Sequence, residues 1–178
     1  MAYYLILTAR IFLAPLILVW PTAAIILSFF LDVIDADFAY KVITKKQYQI
    51  IDKIVDSWVY VFELIIGWRM IGEFGILLTA LFVWRMIGLA VFLRFRKRHI
   101  LLFFGNYFEN IFFLLYFATV YKPLNFLIST DIALYASIFA VVLAKAGQEW
   151  FIHVADLSIR EDFFKSRRHW KVDKNASK

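Results

Sequence analysis

An all-α membrane protein of six transmembrane helices is the fold class this sequence predicts, and three observations predict it. The 178 residues are 63% hydrophobic with a mean hydropathy of +0.72, whereas an ordinary soluble domain is about half apolar. The apolar residues gather into six runs, each near the roughly 20 residues a helix needs to cross a hydrocarbon core about 30 Å thick. The basic residues collect in alternate loops, which is the arrangement that orients membrane helices. Six spans use most of the chain, so no separate soluble domain is expected. The reading is one transmembrane domain over 1–157 and a basic cytoplasmic tail over 158–178.

The first run, Tyr3 to Trp20, stops at Pro21. It lacks a basic leading region and a small-residue cleavage site, so it reads as a retained span rather than a signal peptide. The second runs from Thr22 to Tyr40 and meets the basic loop Lys41–Lys46. The third covers Ile50 to Trp68, and the fourth Phe74 to Leu93. The strongest charge run, Arg94-Phe95-Arg96-Lys97-Arg98-His99, follows the fourth. The fifth spans Ile100 to Tyr121 and ends at Lys122-Pro123. The sixth runs from Thr130 to Val154 and passes into a charged tail expected to lie on the membrane surface as an amphipathic helix. The pentapeptide Trp-Arg-Met-Ile-Gly occurs twice, at Trp68–Gly72 and Trp84–Gly88, which is too few copies for a repeat fold.

The basic loops after the second and fourth spans fall on the same side as the tail. Both termini are therefore expected in the cytoplasm, in the cell membrane. The net charge of +6 is then a topology signal, with no nucleic-acid partner implied. The chain has no cysteine, which excludes disulfides and thiolate metal sites. Glycine-rich phosphate loops and paired histidines at metal-ligand spacing are absent from the sequence as well.

The chemistry-bearing residues close the second span and open the third. Asp32 and Asp35 are three apart and share a helix face, as do Asp52 and Asp56, four apart. Ala36 and Ala39 lie on roughly the face of the first pair and leave space beside it. A short basic turn joins the two helices, so all four carboxylates are expected to meet near the cytoplasmic surface. Four clustered carboxylates repel one another, and burial makes this worse. They call for protons or cations, and hard divalent ions such as Mg²⁺ or Mn²⁺ suit oxygen ligands and leave places for phosphate oxygens. The plainer alternative is a set of solvated acids with Asp52 capping a helix.

This stretch, Asp32 to Asp56, resembles the signature of the CDP-alcohol phosphatidyltransferases, D-x2-D-G-x2-A-R-x8-G-x3-D-x3-D. Leu7-Thr-Ala-Arg-Ile-Phe-Leu-Ala-Pro-Leu16 is similar to that family's first helix, and Ile51-Asp-Lys-Ile-Val-Asp56 to its second acidic element. The resemblance implies that Asp32, Asp35, Asp52 and Asp56 hold two Mg²⁺ or Mn²⁺ ions. It places the nucleotide against Asp32, Ala36, Ala39 and Lys41. Asp56 becomes the general base on an acceptor hydroxyl, which attacks the β-phosphate of a CDP-linked lipid or alcohol and releases CMP in phospholipid synthesis. The acceptor would be a small alcohol or a second lipid, and homodimers are common in the family. Ala36 stands at the family's glycine, Tyr40 at its arginine with Lys41 next to it, and the segment before Asp52 is one residue short.

Two other classes stay open. One is a catalytically silent relative that binds a lipid or a partner, and the other is a small cation-coupled transporter. The outer halves of the spans carry almost no charge, which argues against transport. Glu63, Arg85 and Glu109 at membrane depth are expected to pair. Lys145, Glu149, His153 and Asp156 recur at helical spacing near the end of the sixth span and could line the entrance to the acidic site. Arg10 is a phosphate-contact candidate against the alternative of snorkelling at a helix start.

Overall fold

The computed structural model describes residues 1–96 and 103–153, and every regular element among them is helical. The expected tail, Asp156 and the basic residues Lys97, Arg98 and His99 lie outside the described residues, as do the side chains of Glu149 and His153. Among the described residues, six α-helices overlap the six apolar runs: α1 Ala2–Leu16, α2 Pro21–Ala39, α3 Lys45–Met70, α4 Gly75–Phe95, α5 Tyr107–Val120 and α6 Asp131–His153. Short 3₁₀ turns cover Gly72–Phe74 and Lys122–Leu127.

Helix ends follow local chemistry. The helix α1 stops before Trp20 because Pro15 sits in its last turn. Beyond it the chain tightens to bonds three residues apart, Ile17 N–H to Ala14 O at 3.1 Å and Leu18 N–H to Pro15 O at 3.1 Å. Pro21 then opens α2, where its missing N–H costs nothing. The helix α3 begins earlier than its apolar run because Thr44 and Gln47 form a capping box. The Gln47 N–H donates to Thr44 Oγ1 at 3.3 Å, and the Thr44 N–H to Gln47 Oε1 at 3.0 Å. The helix α5 starts at Tyr107, later than the apolar run suggests, because Gly105-Asn106 interrupts the backbone. Thr130 caps α6 by accepting from the Ala133 N–H at 3.2 Å.

The chain divides within α3 into two compact units, Met1–Phe62 and a second beginning at Glu63. In the first, α1 packs along α2, and Ala14, Ile17, Ala24, Ile25 and Ala39 are buried. In the second, α5 is the central helix; Phe108, Phe112, Leu115 and Tyr116 on it are closed from solvent and pack with α4 and α6. Arg85 donates to the Phe104 carbonyl at 2.8 Å, Glu109 accepts from Asn106 Nδ2 at 2.6 Å, and Glu63 is buried. Two helices, Gly72–Phe95 and Asp131–Gln148, are long and apolar enough to cross a membrane, with mean hydropathies of 2.3 and 1.3.

Candidate metal centre

All four aspartates lie in the first unit, and they converge. Asp32 and Asp35 project from the last turns of α2, Asp52 and Asp56 from the third and fourth turns of α3. Carboxylate oxygens of Asp32, Asp35 and Asp52 come within 4.8 Å of one another. Asp35, Asp52 and Asp56 are buried, while the Asp32 side chain keeps 42% of its surface open. The C-terminal end of α2 carries the negative end of its helix dipole, which adds to the repulsion on Asp32 and Asp35. A strong counter-charge has to be close.

That counter-charge is Arg10. Its side chain, 2% exposed, reaches from the middle of α1 into the acids. Nη2 donates to Asp32 Oδ1 at 2.6 Å and to Asp56 Oδ1 at 2.7 Å. Nη1 donates to Asp35 Oδ2 and stands 3.6 Å from Asp52 Oδ1. One guanidinium thus touches every carboxylate of the cluster, using the planar fork that suits carboxylate oxygens. A second cation, Lys53, lies between Asp52 and Asp56 in sequence and bridges them, Nζ to Asp52 Oδ2 at 2.7 Å and to Asp56 Oδ2 at 2.9 Å.

Tyr48 completes the set, its hydroxyl donating to Asp35 Oδ1 at 2.6 Å. Burial, joined by the charges of Asp52 and Asp35, pushes the Tyr48 phenol well above its ordinary value, so it remains a donor. Two buried polar atoms of this unit lack a hydrogen-bond partner among the described residues: Arg10 Nε on α1, and Ser28 Oγ one helical turn before Asp32 on α2.

The residues expected to meet the nucleotide are less unified. Ala36 is 8% exposed and Ala39 is fully closed, so the space expected beside the carboxylates on this face is filled by packing. Lys41 is exposed, and its ammonium lies over the Tyr40 ring at 5.4 Å. The sequence marks Arg10 as a phosphate contact or a snorkelling residue, not as the partner of the acids, and does not single out Lys53 or Tyr48. The signal for Lys53 was available, since a lysine one residue from one acid and three from another can reach both. Arg10 was marked by its place in an otherwise apolar, family-like first helix, and neither mark says that it meets the acids.

The donor chemistry fits a hard divalent ion: oxygens alone, close together, with one acid facing outward. Four negative charges against Arg10 and Lys53 leave two, the charge of a single such ion. No protein-family model, curated protein or solved structure matches this chain.

Proposed function

We propose that this chain is a six-span membrane transferase that moves a phospho-alcohol or phosphatidyl group from a CDP-alcohol to a hydroxyl acceptor, releasing CMP. The observation that carries the reading is the meeting of four carboxylates from α2 and α3 in one partly open cluster, spaced as in the family signature but for one residue missing before Asp52. The membrane setting is supported by the exposed apolar side chains Ile132, Tyr135, Phe139 and Leu143, which line one face of α6. Six apolar helices, joined by the basic Lys41–Lys46 loop on one side, support a layout with both termini cytoplasmic.

Asp32, Asp35, Asp52 and Asp56 are the ligands for Mg²⁺ or Mn²⁺ in this reading. Bound ions supply neutralisation of the diphosphate and of the charge that gathers on departing CMP. The protein's own part falls on Asp56. It takes the proton of the acceptor hydroxyl, whose oxygen forms the new bond to phosphorus as the bond to CMP breaks. For this, Lys53 must leave Asp56 Oδ2. Its side chain is 26% exposed, so water reaches it there.

A silent relative is the second reading, and one observation favours it: Arg10 already supplies a cation to all four acids. The experiment that separates them uses purified protein in lipid nanodiscs, a panel of CDP-alcohols and hydroxyl acceptors, and Mn²⁺ or Mg²⁺. The transferase releases CMP, loses at least ~10³-fold of its rate on Asp56→Asn, and stops in EDTA until metal is restored. Absence of CMP across the whole panel removes the transferase and leaves the silent relative.

A further inference from the structure

We propose that Trp58 is a positioning residue of the acid centre: its indole N–H takes the α1 carbonyl that Pro15 leaves without a helix donor, and so fixes how α3 turns Asp56 toward Arg10. In naming what aims the base, the inference rests on the reading above and adds to it an uncharged tie between α1 and α3.

The tie follows from backbone chemistry. In an unbroken helix the N–H of residue 15 would donate to the carbonyl of residue 11. Pro15 has no N–H, and a proline ring crowds that same carbonyl. The Ile11 oxygen therefore needs a donor from elsewhere, and Trp58 supplies it, Nε1 donating from α3 at 3.1 Å. Trp58 and Ile11 are 43% and 41% exposed. In the six-span reading their bond thus faces hydrocarbon, where water cannot stand in for the indole. The ring is seated as well, edge to face with Phe62 on its own helix at 4.9 Å.

The place of this bond gives it a role. Ile11 follows Arg10 directly in α1, and Trp58 comes two residues after Asp56 in α3. Arg10 Nη2 donates to Asp56 Oδ1 at 2.7 Å, so the two helices are joined at neighbouring points by one charged and one neutral bond. Residues two apart leave a helix about 200° from each other. Asp56 and Trp58 therefore reach α1 from different sides of α3, and turning α3 lengthens at least one of the bonds. Arg10 alone sets no such angle, since a guanidinium among four carboxylates can exchange one oxygen for another, whereas a main-chain carbonyl is fixed.

The test is nuclear magnetic resonance of the full chain in nanodiscs, isotope-labelled at tryptophan and arginine nitrogen. The Trp58 indole signal is the one that Trp58→Phe removes, and the Arg10 guanidinium signals are those that Arg10→Lys removes. Pro15→Ala returns an N–H to the Ile11 oxygen, so the Trp58 indole proton should move upfield. Trp58→Phe keeps a ring against Phe62 and loses the donor; the Arg10 Nη protons, distinct in the parent, should then merge. Pro15→Ala should merge them too, and the double variant should look like either single one, because both changes break the same bond. Should Pro15→Ala fail to fold, Pro15→Leu carries the test, since any residue but proline brings the N–H. An indole signal unmoved by the Pro15 variant, Arg10 signals unmoved by Trp58→Phe, or effects that add in the double variant overturns the proposal. Unmoved signals with active CMP release would sink this inference and spare the transferase; moved signals with no CMP from any donor would do the reverse.

Discussion

Arg10 shows how much a single side chain can carry that sequence spacing does not reveal. The four acids were legible because intervals of three and four residues put carboxylates on common helix faces. Arg10 was not, since an arginine in an apolar run equally suits a snorkelling role, and choosing between the two needs the rotation of α1 against α2. Tyr48 is a sharper case, hidden in a stretch that reads as a polar loop. Its hydroxyl is held to the buried Asp35 at 2.6 Å. Tyr48→Phe should cost about 1.5–3 kcal/mol, the range for a hydrogen bond to a charged group, measured by denaturant unfolding in detergent. Because the phenol is pushed upward, the contribution is present at and below the ordinary tyrosine range. The difference between Tyr48→Phe and the parent should therefore stay constant from neutral pH to about pH 9.

At the scale of elements, hydropathy placed the helices, while turn and cap residues moved their ends. The basic loop Lys41–Lys46 hides half of a capping box, in which Thr44 pairs with Gln47 and lengthens α3. The repeated pentapeptide marks a limit of local sequence: identical residues enter different surroundings. At Gly72 an added methyl group meets nothing within 4 Å. At Gly88 it would fall 2.1 Å from Phe104 Cβ, in a side chain whose ring also packs at 4.7 Å, tilted, against Trp84. Gly88→Ala should thus destabilise by about 1–3 kcal/mol through overpacking, while Gly72→Ala stays within about 0.5 kcal/mol of the parent. Paired thermal melts of the two variants decide it. Equal effects would mean that the Gly88 contact relaxes freely.

For the whole molecule, the helical class and the places of the described helices followed from the apolar runs, because lipid and protein interior both demand such runs of similar length. The side of the membrane on which each loop lies rests on charge bias alone, and a direct measurement is open. The chain contains no cysteine, so a single introduced thiol reports without background. Lys46→Cys and Lys122→Cys, both at exposed positions, should react with a membrane-impermeant maleimide from opposite faces of sealed vesicles. Labelling of both from the same face would remove the six-span layout.

The tether between Arg10 and the acids has a consequence for how a newly made chain reaches its place. In the six-span reading, α1 taken alone would carry a bare guanidinium into hydrocarbon, and α2 would carry two carboxylates, each of them an unfavourable passenger. Side by side, the opposite charges cancel in the same layer. In the six-span reading, inserting the first two helices as a hairpin pairs these charges before α3 brings Asp52 and Asp56 to complete the cluster.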